Sequence, residues 1–256
     1  MTADDHALAR ALAEEAGRRL TGLRAQGGDP DVLRKAGDRL SHEFLTAELA
    51  GRRPGDVVLS EEGADNPARL GARRVWIVDP LDGTREFGEP GRTDWAVHVA
   101  LWERTAGDLT AGAVALPAQG RVLSTLEPPP GPVDPDDHEA PGRIRIVVSR
   151  SRAPRLVRNI SDLIDAELVP LGSAGAKVAA VVTGEADAYV HGGGFYEWDT
   201  AAPVAVARAA GFHASRIDSS PLAYNQADLL MPDILVCRPA VAGVLLQAIR
   251  EVTDAS

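Results

Sequence analysis

Cysteine, aromatic side chains and long apolar runs are all scarce in this chain of 256 residues. Its single cysteine, Cys237, cannot form an intramolecular disulfide bond. No apolar run approaches the ~20 residues that a membrane-spanning helix needs, and residues 1–10 carry acids without a signal-peptide core. We therefore expect a cytoplasmic protein with no membrane partner.

Aromatic residues make up only 4% of the chain, whereas hydrophobic residues as a whole make up 45%. Abundant alanine, valine, leucine and glycine suit helices packed closely on sheets and argue against disorder. The net charge of -10 disfavours nonspecific binding to nucleic acid. It does not exclude a phosphate substrate, because a bound metal ion can bring phosphate to acidic residues.

The hydrophobic pattern predicts an α/β protein with two halves of different architecture. In the first half, two helices precede two strands that end at acidic residues, and three further strands suggest an antiparallel meander. The helices are residues 3–26 and 31–49, and the strands are 57–60, 74–79, 95–102, 109–116 and 121–126. Residues 127–142 are rich in proline and acid, so we place a domain boundary there.

The second half alternates strands with helices, which is typical of an α/β arrangement with crossover helices. Its predicted strands are 144–149, 168–171 and 188–190, and its helices are 153–164, 174–182, 200–210 and 240–252. We therefore predict an α+β domain over residues 1–140 and an α/β domain over residues 141–256.

Two acidic residues, Asp79 and Asp82, follow the buried part of strand 74–79. Pro80 stiffens the turn between them. A second acidic pair, Glu61 and Glu62, follows strand 57–60. Ionised carboxylates that converge without a cation repel by about 4 kcal/mol per pair at ~4 Å and an effective dielectric constant near ~20. The sequence therefore predicts a magnesium site.

Each acidic motif also has a purely structural interpretation. Asp-Pro-x-Asp-Gly is a good turn sequence, and Glu61-Glu62 suits a solvated strand end. Asp199 is a third acidic element, but it can also be the N-cap of the helix that follows it. Thr84 would begin a helical turn after Gly83, and such a helix start attracts anions.

Four segments, in this order along the chain, together resemble one enzyme superfamily. SEEGAD, WIVDPLDGTREF, GSAGAK and EWDTAAPVAVARAAG are similar to motifs of the lithium-sensitive, magnesium-dependent phosphomonoesterases. That superfamily contains inositol monophosphatases, fructose-1,6-bisphosphatases and bisphosphate nucleotidases. The resemblance implies a layered αβαβα sugar-phosphatase fold, commonly a homodimer, with metal ions between the two halves.

The resemblance also implies two Mg²⁺ ions, and every ligand would be a hard oxygen, which suits this metal. Glu61, Asp79 and the backbone carbonyl of Leu81 resemble the ligands of the first ion. Asp79, Asp82 and Asp199 resemble those of the second. In such a centre one ion activates a water and the other stabilises the leaving alkoxide.

Catalytic roles are implied for Glu61, Thr84 and Asp38, the last two of which would orient and deprotonate the water. The segment RKAGD departs from the family pattern before Asp38, and an exposed helical aspartate is the alternative for this residue. The amides of Gly83 and Thr84 would hold the transferred phosphate. Glu62 is a candidate ligand of a weaker third ion.

Substrate contacts are predicted in three further segments. Arg85 lies in a Gly-Thr-Arg-Glu-Phe sequence that is typical of nucleotidases, and Ser149 and Arg150 resemble the nucleotidase segment Ser-Arg-Ser-His, here continued by Ser151 and Arg152. Arginine can clamp a second phosphate through two hydrogen bonds. A basic helix entry on the surface is the alternative for this segment.

The segment with Gly172, Ser173 and Lys177 resembles a helix start whose amides face sugar or phosphate. A solvated helix residue is the alternative for Lys177. Asp199 would contact substrate as well as metal. Residues 191–196 offer either a wall for adenine or a plain connection, and no histidine is given a part in the chemistry.

The whole pattern is closest to the CysQ-type nucleotidase branch in its actinobacterial form. It implies removal of the 3'-phosphate of 3'-phosphoadenosine 5'-phosphate, with 3'-phosphoadenylyl sulfate as a further candidate substrate, in support of sulfate assimilation. Inositol monophosphatase or fructose-1,6-bisphosphatase activity is the alternative within the same chemistry. A non-catalytic nucleotide or metal sensor is the alternative outside it, although Thr84 and all the predicted metal carboxylates are present.

Overall fold

Two five-stranded sheets divide the helices of this protein into layers. The computed structural model describes residues 2–132, 142–151 and 153–254, with side chains from residue 5 onward. Most of the predicted boundary segment, and Arg152 of the predicted phosphate segment, lie outside the described residues. Among the described helices, none has the length and apolar character needed to cross a membrane.

The helices agree closely with those that the sequence predicts. They are α1 (Thr2–Ala25), α2 (Pro30–Arg52), α3 (Thr84–Gly88), α4 (Arg155–Ile164), α5 (Ala174–Val182), α6 (Glu197–Ala209) and α7 (Pro239–Asp254). The start of α2 shows why: the Asp29 side chain accepts the N–H groups of Asp31 and Val32, and Pro30 occupies the first turn. The single turn α3 is the helical start predicted at Thr84.

The first sheet contains β1 (Val57–Ser60), β2 (Arg74–Asp82), β3 (Ala96–Glu103), β4 (Asp108–Leu116) and β5 (Arg121–Ser124), in that order. β1 is parallel to β2, and the strands from β2 to β5 are antiparallel. The predicted meander is therefore confirmed. β5 ends at Ser124, two residues before the predicted end at residue 126.

The second sheet has the order β10-β12-β8-β6-β7. Its strands are β6 (Arg145–Ser149), β7 (Glu167–Leu171), β8 (Ala188–His191), β10 (His213–Ser215) and β12 (Ile234–Cys237), and a separate ribbon pairs β9 (Phe195–Tyr196) with β11 (Leu230–Met231). β6 is parallel to β7 and β8, as crossover helices require, whereas β12 is antiparallel to β8. β9, β10 and β11 have only two or three residues, which is too short for a periodic signal, and neither these strands nor β12 were predicted.

Alternating side chains connect these sheets to three helical layers. In β2, Trp76 and Val78 pack with α1 and α2, whereas Val75 and Ile77 face the central layer formed by α5 and α6. The opposite side of the second sheet packs with α4 and α7. The order of layers is α, β, α, β, α, so the predicted layered fold is confirmed.

Candidate active site

The acidic end of β2 is a strand and not the turn that the sequence suggests. β2 continues to Asp82, and its pairing with β3 shifts between Asp79 and Asp82. The strand tolerates Pro80 because β1 pairs with β2 only as far as Val78. At position 80 no strand on that side requires a backbone N–H donor, which proline lacks. The irregularity turns both carboxylates toward the central helical layer, as their contacts with β3 and α5 show.

The start of α5 holds the Asp82 carboxylate. Asp82 Oδ2 accepts the Gly175 N–H at 2.6 Å, and Oδ1 accepts the Ala174 N–H at 3.2 Å. His98 Nε2 lies 3.2 Å from Asp82 Oδ2. Burial alone would raise the pKa of Asp82, but the charge and hydrogen bond of His98, followed by the Gly175 amide, lower it. The helix start that the sequence assigns to phosphate therefore binds a protein carboxylate here.

His98 is a member of the site that sequence reasoning missed. It is fully buried in β3, and its Nδ1 donates to the Trp198 carbonyl at 3.1 Å. Burial lowers the pKa of His98, but Asp82 outweighs this effect and raises it. The sequence did contain a signal for a buried histidine, because His98 lies between Val97 and Val99 in an apolar strand.

The other carboxylates of the cluster carry raised pKa values. Burial is the main cause at Asp79, and the charges of Glu61 and Asp82 add to it. Glu61 remains exposed as a residue, yet lost hydration of its carboxyl group and the charges of Asp199 and Asp82 raise its pKa to about 7. Burial, followed by the charge of Asp82, raises the pKa of Asp199 to about 6. Because each of these shifts includes the charge of another carboxylate of the set, Glu61, Asp79, Asp82 and Asp199 lie close enough together to interact.

This cluster has the properties of a cation site. Side-chain ligand atoms of Asp79, Asp82 and His98 all lie within 4.8 Å of one another. Asp79 Oδ1 accepts the Leu81 N–H at 3.0 Å, whereas Oδ2 is buried and accepts no hydrogen bond from the described residues when the acids are ionised. The Asp79 and Glu61 carboxyl groups can share a hydrogen bond only when one of them is protonated. A buried carboxylate oxygen without a partner is costly, and a cation would satisfy it. The predominance of oxygen donors fits a hard divalent ion.

Asp199 lies inside α6 and not at its N-cap. α6 begins at Glu197, three residues earlier than predicted, and Asp199 Oδ2 accepts the Tyr196 N–H at 2.6 Å. The Asp199 side chain therefore accepts a hydrogen bond from one of the free backbone N–H groups at the start of α6, although Asp199 itself lies in the first turn. The same side chain carries a charge close to Asp82, which joins the two halves of the molecule at this cluster.

Thr84 lies beside the cluster at the start of α3. Its Oγ1 lies 3.0 Å from the Leu81 carbonyl and 3.3 Å from Asp38 Oδ1. Burial and the charge of Glu62 raise the pKa of Asp38 to about 6. Gly83 precedes the helix with φ 82°, a left-handed conformation that favours glycine. Asp38 is therefore half-buried and faces Thr84, and it is not a solvated helix residue.

The predicted phosphate residues outside this cluster are engaged within the protein. Arg85 Nε donates to Glu89 Oε1 at 3.1 Å on the surface. Arg150 Nη2 donates to Glu86 Oε1 at 2.9 Å and to Glu89 Oε1 at 3.0 Å. Ser149 Oγ lies 3.3 Å from the hydroxyl of Ser151. The structure therefore places Arg150 at an acidic pair and not against the metal ligands.

The start of α5 accounts for the remaining predicted contacts. Gly172 N–H donates to Asp94 Oδ2 at 2.6 Å, and the Ser173 hydroxyl accepts the Ala176 N–H at 2.9 Å. Lys177 is buried, and its Nζ donates to the Gly172 carbonyl at 2.6 Å. Burial lowers the pKa of Lys177, whereas the charge of Asp82 opposes this shift. Lys177 is therefore not a solvated helix residue.

Comparison with known proteins agrees with this geometry. The chain matches the inositol monophosphatase family over residues 3–254. It is 51% identical to a 3'-phosphoadenosine 5'-phosphate phosphatase of Mycobacterium leprae, with 97% of this chain and 94% of the relative covered. It is 32% identical to the 3'(2'),5'-bisphosphate nucleotidase CysQ of Escherichia coli K12, with 74% and 78% covered.

A solved structure extends the likeness to three dimensions. CysQ from Bacteroides thetaiotaomicron, a bacterial member of the inositol monophosphatase family, superposes with a TM-score of 0.78 at 29% identity. The superposition covers 92% of this chain and 97% of that one. The carboxylate cluster, the layered fold and these matches lead to one conclusion: the chain belongs to the inositol monophosphatase family.

Proposed function

We propose that this protein is a magnesium-dependent phosphatase that removes the 3'-phosphate of 3'-phosphoadenosine 5'-phosphate and releases AMP and inorganic phosphate. The observation that carries the proposal is the cluster of Glu61, Asp79, Asp82 and Asp199 in a chain that is 51% identical to a phosphatase of this specificity. Four carboxylates are matched in charge by two divalent cations, and the site can then accept a phosphate dianion.

Glu61, Asp79, Asp82, Asp199 and the Leu81 carbonyl would hold the two ions, and Glu62 would contribute to a weaker third. Bound Mg²⁺ supplies Lewis-acid stabilisation of charge on the phosphate and lowers the pKa of a coordinated water. The arrangement of hard oxygens around the unpartnered Asp79 Oδ2 supports this assignment.

Thr84 and Asp38 are proposed to act on the attacking water. The hydroxyl of Thr84 lies within hydrogen-bonding reach of Asp38, whose raised pKa of about 6 suits a base that works near neutral pH. A proton taken from the water can pass to Thr84 Oγ1 while the hydroxyl proton passes to Asp38. The amides of Gly83 and Thr84, at the start of α3, would hold the transferred phosphate, and Glu61 would orient the water.

Contacts with the rest of the substrate remain part of the proposal. Lys177 is the buried cation beside the cluster, and its charge lies close enough to Asp82 and Asp199 to interact with both. Gly172, Ser173 and Asp199 would line the same side of the substrate, whereas Arg85, Ser149 and Arg150 would contact a second phosphate. Arg150 would have to exchange Glu86 and Glu89 for that phosphate.

The proposal also covers the setting of the enzyme. We propose a homodimer in the cytoplasm that is inhibited by lithium, acts as well on 3'-phosphoadenylyl sulfate and supports sulfate assimilation. Division into a domain of residues 1–140 and one of residues 141–256 is proposed as well. Sedimentation measures the dimer directly, and phosphate release at increasing LiCl measures the inhibition.

Phosphate release from alternative substrates tests the function. The purified protein is given 3'-phosphoadenosine 5'-phosphate, inositol 1-phosphate or fructose 1,6-bisphosphate at equal concentration, with Mg²⁺ or with EDTA. We expect the highest kcat/KM for the nucleotide and no turnover in EDTA. A higher kcat/KM for inositol phosphate would contradict the substrate, and full turnover in EDTA would contradict the metal.

A further inference from the structure

Tyr196 carries a large exposed side chain at the start of α6, three residues before Asp199. Its backbone N–H donates to Asp199 Oδ2 at 2.6 Å, so its main chain lies directly against a proposed metal ligand. The residue is nevertheless 45% exposed. Water-exposed apolar surface next to a charged site is a place where a ligand gains affinity by covering it.

One face of the Tyr196 ring is already covered. The ring stacks on that of Trp198 with centroids 4.8 Å apart and an interplanar angle of 17°. Trp198 is itself buried in the first turn of α6. This stack fixes the orientation of the tyrosine ring, and a ligand that binds its other face loses little conformational freedom in the protein.

Leu230 extends the same surface. It is the direct partner of Tyr196 in the ribbon of β9 and β11, and side chains of directly paired residues lie on the same side of a ribbon. Leu230 is 47% exposed, whereas the next pair, Phe195 and Met231, is buried. We call Tyr196, Trp198 and Leu230 the Tyr196 platform.

We propose that the Tyr196 platform is the base-binding subsite of this enzyme: the purine ring of the substrate stacks on the open face of Tyr196 and contacts Leu230 with its edge. This inference rests on the proposed function, because it needs a nucleotide whose phosphate lies at the carboxylate cluster. A flat aromatic ligand is the occupant that a fixed aromatic ring binds best. Inositol and sugar phosphates have no ring system of this kind, so the platform would select nucleotides among phosphomonoesters.

A nucleotide base explains this surface better than a protein partner does. The two exposed side chains, Tyr196 and Leu230, form a patch far smaller than the about 800 Å² per partner of a stable interface. The main chain of Tyr196 also contacts Asp199, so the patch begins at a residue that touches the carboxylate cluster. A second cavity, of about 620 Å³, is lined by residues of α4 and α7, such as Arg155 and Val252, and by the segment between β8 and β9, such as Gly193.

Substrate kinetics of Tyr196 variants test the proposal. For 3'-phosphoadenosine 5'-phosphate, Tyr196→Ala should raise KM by between about 5-fold and about 100-fold, the range expected from the loss of one stacked base. Its kcat should change little, because the backbone N–H that binds Asp199 remains. The KM for inositol 1-phosphate should stay the same in this variant. Tyr196→Phe, which keeps the ring, should behave as the wild type with both substrates.

Further variants guard against an effect on folding. Tyr196→Ala uncovers Trp198, so Leu230→Ser provides a second test that leaves the aromatic stack in place and should also raise the KM for the nucleotide alone. Val244→Ser, at an equally exposed position of α7, is the matched control and should change neither KM. Arg155→Ala alters the second cavity and should likewise leave the KM for the nucleotide unchanged.

The outcomes separate this inference from the function on which it rests. A wild-type protein that fails to hydrolyse the nucleotide overturns both. A wild-type protein that hydrolyses it, together with platform variants that change neither KM or both equally, overturns only the platform. A third outcome is that Arg155→Ala raises the KM for the nucleotide and Tyr196→Ala does not. This result would place the base in the cavity and would also overturn the platform.

Discussion

The Gly175 amide of α5 donates to the Asp82 carboxylate of β2 at 2.6 Å, and this bond joins the two halves of the molecule at the proposed metal centre. A helix start favours negative charge, so Asp82 stays ionised although it is buried. The fold thus keeps one carboxylate ready for a cation while its neighbours Asp79 and Glu61 bind protons more readily than usual.

Gly175→Ala should damage both the metal centre and the fold. A Cβ atom at this position would lie 2.1 Å from His98 Nε2, 3.0 Å from Ala96 Cβ and 3.1 Å from Asp82 Oδ2. We expect a loss of about 1–3 kcal/mol in the free energy of unfolding, measured by denaturant titration, and weaker Mg²⁺ activation. Gly243→Ala in α7, where a Cβ meets nothing within 4 Å, should instead gain about 0.5–1 kcal/mol. Equal stability changes in the two variants would contradict this account.

Asp82→Asn should remove turnover and leave the fold intact. Its side-chain oxygen can still accept a hydrogen bond from α5, but the charge that binds the cation is gone. We expect kcat/KM to fall by more than about 100-fold, since loss of a residue that merely supports a metal ligand already costs about 10–100-fold. Phosphate release and thermal unfolding are measured on the same preparation. Full activity in this variant would contradict the assigned role of Asp82.

The rate should depend on pH through Asp38. With Mg²⁺ saturating, the ligand carboxylates are held ionised, and Asp38 must lose its proton before it can accept one from Thr84. We therefore expect kcat/KM to rise with pH through the pKa of Asp38, which is about 6 in the metal-free protein and lower beside bound cations. Asp38→Asn should lose this rise together with about 100-fold or more of the rate. Thr84→Ser keeps the hydroxyl and should retain the rise of kcat/KM with pH. Thr84→Val lacks the hydroxyl and should show no turnover.

The metal-free protein should lose stability as pH rises. The pKa of Glu61 is about 7 in the folded protein against 4.5 in its ordinary state, and that of Asp199 is about 6 against 3.8. Between these values the folded state binds more protons than the unfolded state, so the free energy of unfolding falls as pH increases toward 7. Denaturant titration in EDTA from pH 5 to pH 8 measures the slope.

Two controls test the origin of that slope. Glu61→Gln should make the slope shallower, because this variant removes one of the carboxyl groups whose pKa is raised in the folded protein. Saturating Mg²⁺ should also flatten it, because a cation holds the carboxylates ionised without mutual repulsion. A stability that rises with pH in EDTA would contradict the protonation scheme.

The central elements and the cluster could be predicted because their signals are local. Apolar runs such as Val75–Val78 indicate buried strands, and the acids that follow them must leave the core near one another. β12 has an apolar run but was not assigned as a strand, and β9, β10 and β11 could not be predicted, because two or three residues give no period and their pairing depends on distant segments. His98 was missed for the same reason: its partners Asp82 and Trp198 are remote in sequence.

By itself, the sequence determined the helices and long strands, the class of fold and the acidic residues of a candidate cation site, because periodicity, caps and motifs are properties of short segments. Only the tertiary structure decided which groups meet those acids. It placed the Gly175 amide and His98 on Asp82, gave Arg150 the acidic partners Glu86 and Glu89, and stacked Tyr196 on Trp198 beside Asp199. Burial, charge and hydrogen bonding between distant segments set these contacts, and such interactions exist only once the layers have packed.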